Sequence, residues 1–138
     1  HMIGHLQTNK VAKVLAWAQA IHSLDRPSLL RELEAKARGI AVFVQVNASG
    51  EASEGGYRPE ETAAAVAEAR RSLDVRGLMT MAPEGTDARP HFRRLRELAA
   101  GLNLRELSMG MSQDFEVAVE EGATHVRVGT AIFEGVRV

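Results

Sequence analysis

The run Ile40-Ala41-Val42-Phe43-Val44-Gln45-Val46-Asn47-Ala48 decides the fold. It is rich in β-branched residues and almost continuously apolar, the pattern of a strand covered on both faces. On its N-terminal side, Leu29, Leu30, Leu33 and Ala37 recur at helical spacing behind Pro27, which suits a first helical turn. Gly39 stands where the C-terminal cap of that helix belongs. On its C-terminal side, residues 49–58 are rich in Gly, Ser and Glu and read as a loop. Pro59 then opens an Ala-rich helix that runs to about residue 73. A doubly covered strand between two helices is the repeating unit of a parallel sheet.

The same unit recurs outward in both directions. Residues 75–81 read as a strand closed by Ala82-Pro83-Glu84-Gly85, and Asp87 is the expected cap of a helix whose Phe92, Leu95, Leu98 and Leu102 share a face. Residues 104–110 form the next strand. Ser112 or Gln113 is expected to start a helix with Phe115, Ala118 and Val119 inward and Gly122 just past its end. Residues 125–133 are the last strand. Toward the N-terminus, residues 20–24 read as a short strand, Asn9 as the cap of a helix carrying Val11, Val14, Leu15 and Ala18, and residues 3–6 as a truncated strand. His1-Met2 is left out of the fold reading, because tag removal often leaves that dipeptide behind.

Six strands alternating with five helices, at roughly 20–30 residues per unit, imply an α/β fold with a parallel sheet and right-handed crossovers. A doubly wound open sheet usually carries a Gly-rich turn after its first strand. Neither G-x-G-x-x-G nor a Walker A motif occurs in this chain. The expected architecture is therefore a TIM-type (β/α) barrel in a single domain over residues 1–138. A complete barrel takes about 250 residues and seldom fewer than about 200. The expectation is thus an incomplete barrel of six units out of eight.

Composition narrows the function classes. Seventeen basic against eighteen acidic residues give a net charge of −1, so neither nucleic acid nor an anionic membrane is an expected partner. The chain has no cysteine, which excludes disulfides, thiolate metal sites and thiol nucleophiles. No apolar run approaches the ~20 residues of a membrane span, and no signal-peptide pattern opens the chain. A cytoplasmic protein is expected.

The chemistry concentrates in the last two strands, in Ser108-Met109-Gly110-Met111-Ser112 and Arg127-Val128-Gly129-Thr130. In barrels of this type a phosphate is often held by the turns after the final two strands and a nearby helix N-terminus. Ser112 at a helix start adds a hydroxyl to unpaired amides. Gly129 admits a close backbone approach, and Thr130 brings a hydroxyl and an amide. Arg127 shares a strand face with Gly129. Each residue has a plainer reading: a helix cap for Ser112, a turn for Gly129, a strand filler for Thr130, and an ion pair with a glutamate for Arg127. A charge inside an apolar strand needs a partner in any case, since leaving it unpaired in a dry core costs several kcal/mol. The four together point to a phosphate-like anion.

The stretches Ile3-Gly4-His5-Leu6-Gln7-Thr8-Asn9-Lys10, Val46-Asn47-Ala48-Ser49-Gly50-Glu51-Ala52-Ser53, Arg76-Gly77-Leu78-Met79-Thr80-Met81, Leu107-Ser108-Met109-Gly110-Met111-Ser112 and Gly122-Ala123-Thr124-His125-Val126-Arg127-Val128-Gly129-Thr130-Ala131-Ile132-Phe133 closely resemble one family. It is the pyridoxal phosphate homeostasis protein family, whose single domain is similar to the N-terminal barrel of alanine racemase. The resemblance runs through the whole chain. It implies binding of pyridoxal 5′-phosphate (PLP) as a Schiff base to a lysine on the first barrel strand. It implies a phosphate held around Ser112, Gly129 and Thr130, and a ring nitrogen facing Arg127. An arginine there leaves that nitrogen unprotonated and weakens the ring as an electron sink. The resemblance also implies a carrier or regulator of PLP and amino-acid pools without established catalysis.

In the family, the motif beginning at Ile3 belongs to the third strand. The first two strands and the Schiff-base lysine are therefore expected to be missing, and the chain to be a fragment. Lys10, Lys13 and Lys36 are its only lysines, all on predicted helices, and none is expected to replace the missing one. PLP is accordingly expected to bind noncovalently and weakly, or not at all. Open sheet edges and an exposed inner face would favour self-association or strand exchange.

Asn47, at the end of its strand, is a further candidate for lining the site, with a loop role as the alternative. Met111 is assigned to the site, and Met79, Met81 and Met109 to the barrel interior or its mouth. His5, His22, His91 and His125 show no metal-ligand spacing. Three other functions stay open: a fragment of a PLP-dependent amino-acid racemase, a barrel enzyme acting on a sugar phosphate, and an interaction fragment.

Overall fold

The computed structural model describes residues 1–37, 39–52 and 54–129. Its centre is a five-stranded sheet: β1 (Ala20–Leu24), β2 (Ala41–Gln45), β3 (Asp74–Met79), β4 (Glu106–Met111) and β5 (His125–Arg127). All neighbouring strands are parallel, and their order in the sheet is their order in the chain. That sequential order has no point at which the winding reverses. It is the order of a curling barrel wall rather than of a doubly wound sheet.

The helices follow the strands as the apolar spacing requires. They are α1 (Val11–Leu15), α2 (Pro27–Lys36), α3 (Pro59–Ala69), α4 (Arg89–Gly101) and α5 (Phe115–Glu120). Proline stands in the first turn of α2, α3 and α4, where a missing N–H costs nothing. Asn103 and Gly122 carry positive φ beyond the ends of α4 and α5, as expected of residues that close helices. No helix among the described residues is long and apolar enough to cross a membrane.

The two faces of the sheet bury different things. Val42, Val44, Val46, Leu78, Leu107 and Met109 join Leu29, Leu33, Val66, Phe92 and Leu95 in one core between sheet and helices. The alternate strand positions turn the other way, to the concave side. There His22, Phe43, Met79 and Ser108 are all at least 98% buried. The exposed inner face expected of an incomplete barrel is therefore absent at these positions.

Four expectations need correction. Val119, expected to face inward on α5, is exposed, and Ala118 alone of that helix is buried. Among the described residues no strand forms at 3–6; the only pairing there is a single parallel bridge one residue earlier, between Met2 and Ile21. The carbonyls of Gly4 and Leu6 instead accept hydrogen bonds from Ser23 Oγ and Arg26, so side chains take the place of a ladder. Asn9 lies inside a short 3-10 turn (Thr8–Lys10) and does not cap α1. Met109 packs between sheet and helices and does not enter the barrel interior. The part of the last predicted strand beyond residue 129 lies outside the described residues.

Candidate functional site

A cleft of about 510 Å³ opens at the C-terminal ends of β3, β4 and β5. Met81, Met111, Ser112, Gln113, Arg127, Val128 and Gly129 line it, with Ile3 and Gly4 closing one side. Ile3, Met81 and Met111 are between 36% and 44% exposed, so its rim is apolar surface left open to solvent. Four of the six assigned residues, Met111, Ser112, Arg127 and Gly129, thus meet in one place. Thr130 lies outside the described residues.

Asn47 is not part of this lining. Its amide nitrogen donates to the carbonyls of Glu51 and Glu54, and its oxygen accepts from Ser49 Oγ and the Gly50 amide. Every polar group of the side chain is spent on folding the loop after β2.

Arg127 is the charged element of the cleft. Its Nη1 donates to Ser108 Oγ at 2.7 Å and its Nη2 to the Thr80 carbonyl at 3.1 Å. No carboxylate among the described residues lies within ion-pairing distance, so the glutamate partner of the plainer reading is not there. Burial lowers the affinity of Arg127 for its proton, and the nearby Asp114 carboxylate partly offsets this. Both hydrogen-bond partners of the guanidinium are neutral, and among the described residues no carboxylate pairs with it directly, which favours an electron-rich ligand.

The backbone around Arg127 leaves room for such a ligand. A Cβ at Gly129 would meet nothing within 4 Å among the described residues. Gly110 has φ +104°, and a Cβ there would come within 2.6 Å of Ala118, so β4 can pass this close to α5 only with glycine. Ser112, however, does not start the helix. Asp114 is the N-terminal boundary residue of α5, and Ser112 and Gln113 form the turn between β4 and α5. Asp114 Oδ1 reaches back to accept the Met111 amide at 2.7 Å. One backbone donor that the helix-start picture offered to an anion is therefore already taken. With six residues, α5 is also too short to carry much of a dipole.

Sequence reasoning missed the support behind Arg127. Ser108 Oγ also bonds His22 Nδ1 at 2.7 Å, although the two residues are 86 positions apart. His22 stacks on Phe43 with ring centroids 4.2 Å apart, and His125 meets Phe43 edge-on at 5.1 Å. Burial, reinforced by His125 and Arg127, lowers the His22 pKa to about 4. The only signal in the sequence was the presence of polar residues within two short strands, His22 and Ser23 in β1 and Ser108 in β4.

A second cleft, of about 530 Å³, lies outside the sheet, lined by residues of α4 and of the loop after β2, among them Ser49, Arg89, His91, Arg93 and Arg94. Its cationic groups are engaged. Arg89 and Arg93 bind the Glu121 carboxylate at 3.1 and 3.0 Å, and Arg94 donates to the Ala48 carbonyl. The cleft at the strand ends, whose arginine makes no ion pair among the described residues, is the better candidate.

No family model matches the chain. The pyridoxal phosphate homeostasis protein of Aquifex aeolicus is 45% identical over 148 residues, covering 96% of this chain and 65% of that protein. The chain thus spans just under two thirds of the curated relatives it matches first. The structure of PipY from Synechococcus elongatus with PLP bound superposes with a TM-score of 0.83 at 35% identity, covering 94% of this chain and 68% of that one. Alanine racemase from Corynebacterium glutamicum gives a TM-score of 0.67 over 83% of this chain and 35% of its own. At 18% identity that likeness is one of fold alone, and the fold is the racemase-type barrel.

Proposed function

Because the chain belongs to the pyridoxal phosphate homeostasis protein family, we propose that its strand-end cleft binds pyridoxal 5′-phosphate and that the protein serves intracellular PLP and amino-acid homeostasis without catalysing a reaction. The observation that carries this reading is Arg127, a guanidinium fixed in an apolar-rimmed cleft with no carboxylate among the described residues at ion-pairing distance. An arginine can donate to a ring nitrogen but cannot accept from it. A donor bearing a full charge also disfavours protonation of that nitrogen. Such an environment suits holding the cofactor better than using its ring as a strong electron sink. When bound, PLP supplies an aldehyde for amines and an electron-withdrawing ring.

The remaining residues divide the ligand between them. Met81, Met111 and Ile3 offer apolar surface to the flat ring. Ser112 and Gly129 supply a hydroxyl and an unobstructed backbone for the phosphate, and Thr130 is assigned to the same group. Asn47 is assigned an indirect part, through the loop it organises. Lys10, Lys13 and Lys36 do not line the cleft, and Lys36 pairs with Glu32 on α2.

Equilibrium titration of the chain with PLP, followed by cofactor absorbance, tests this reading. Saturable binding is expected, and Ser112→Ala and Thr130→Val are each expected to weaken it by about 1–3 kcal/mol. Unchanged affinity in both variants would remove the site assignment.

A further inference from the structure

Resting on the PLP reading above, we infer that Ser108 is a positioning residue for Arg127: its buried hydroxyl accepts from the guanidinium and fixes it in the cleft, and His22 behind it accepts the hydrogen bond that the hydroxyl donates. The argument starts from proton counting. Arg127 Nη1 can only donate, so at 2.7 Å Ser108 Oγ is its acceptor. The serine has one proton of its own. Its other close neighbour is His22 Nδ1, also at 2.7 Å. The consistent assignment directs the serine proton onto that nitrogen and leaves the imidazole proton on Nε2.

His22 is suited to this part. It is 98% buried and held flat against Phe43. Burial and the neighbouring Arg127 and His125 keep it neutral at physiological pH, so Nδ1 stays available as an acceptor. The second anchor of the guanidinium is the Thr80 carbonyl, and Thr80 is itself tied to the Val46 carbonyl by its hydroxyl at 2.7 Å. Arg127 is therefore fixed by β4 and by the residue following β3 before any ligand arrives. A long, rotamer-rich side chain ordered in advance loses less entropy on binding.

The test is PLP titration of the full chain in four forms: wild type, Ser108→Ala, Arg127→Met and the double variant, with thermal melts of each. Ser108→Ala is expected to weaken PLP binding about tenfold, the size of one hydrogen bond to a charged group. In the Arg127→Met background the same change is expected to cost nothing further, because the group it positions is gone. His22→Phe keeps the stacking on Phe43 and removes the proton acceptor. It is expected to weaken binding several-fold and gives a second arm if Ser108→Ala unfolds. Wild-type affinity in Ser108→Ala or His22→Phe, or an equal loss in both arginine backgrounds, would overturn the inference and leave the PLP reading standing. A wild-type chain that binds no PLP would overturn both.

Discussion

At the scale of single residues, His22 links stability to pH. Its folded pKa of about 4 lies below the ordinary 6.5, with burial as the main cause and His125, Arg127 and the N-terminal amine adding to it. Between these values the unfolded chain binds a proton that the folded chain refuses. The contribution of His22 is therefore complete above pH 6.5 and lost progressively as pH falls toward 4. Thermal melts across that window are expected to show the melting temperature falling with pH in the wild type, and falling less steeply in His22→Phe. Arg127 and Gly129 were legible in the sequence because a charge and a glycine break an apolar strand, and the rules of barrels place both at the ligand end. The role of Ser108 was not legible, since its partner lies 86 positions away and only the sheet brings them together. Asn47 shows the converse: a polar residue at a strand end fits a ligand site or a loop, and only its four hydrogen bonds decide for the loop.

At the scale of elements, the connection from β4 to α5 shapes the site. Serine and aspartate both favour helix N-caps, so Ser112 and Asp114 compete in the sequence. The structure resolves the competition because the Asp114 carboxylate turns back to the Met111 amide and closes the turn. The carboxylate also opposes a bound anion. Asp114→Asn keeps the acceptor and removes the charge, and is expected to tighten PLP binding a few-fold in the same titration. Gly110 sets how closely β4 and α5 approach. Gly110→Ala would force a Cβ against Ala118 and Phe115 at an unfavourable φ, and chemical denaturation is expected to show a loss of about 1–3 kcal/mol. The far end of α5 is tied to α4 by Glu121, whose nearly buried carboxylate binds Arg89, Arg93 and Arg96. The hydrogen bond from Arg93 is the largest cause of its lowered pKa. Arg93 and Arg96 thus help to clamp the element leading into β5.

At the scale of the molecule, the fold was legible because each unit repeats one pattern: a strand covered on both faces, a turn, and a helix with one apolar stripe. The absence of a Gly-rich first turn pointed away from a doubly wound sheet, and the sequential order of β1 to β5 agrees. The burial of the concave face was not legible. Alternation assigns His22, Phe43 and Ser108 to that face but says nothing of how they cover one another. This concave layer connects the sheet to the cleft, because it holds the arginine on which the proposed function depends. The most direct test is an amide chemical-shift map of the chain during titration with PLP. The account expects the largest shifts at Met111, Ser112, Gln113, Val128 and Gly129, with the Arg127 side-chain signals moving alongside them. Shifts centred instead on Ser49, Arg89 and His91 in the outer cleft, or no shifts at all, would contradict it.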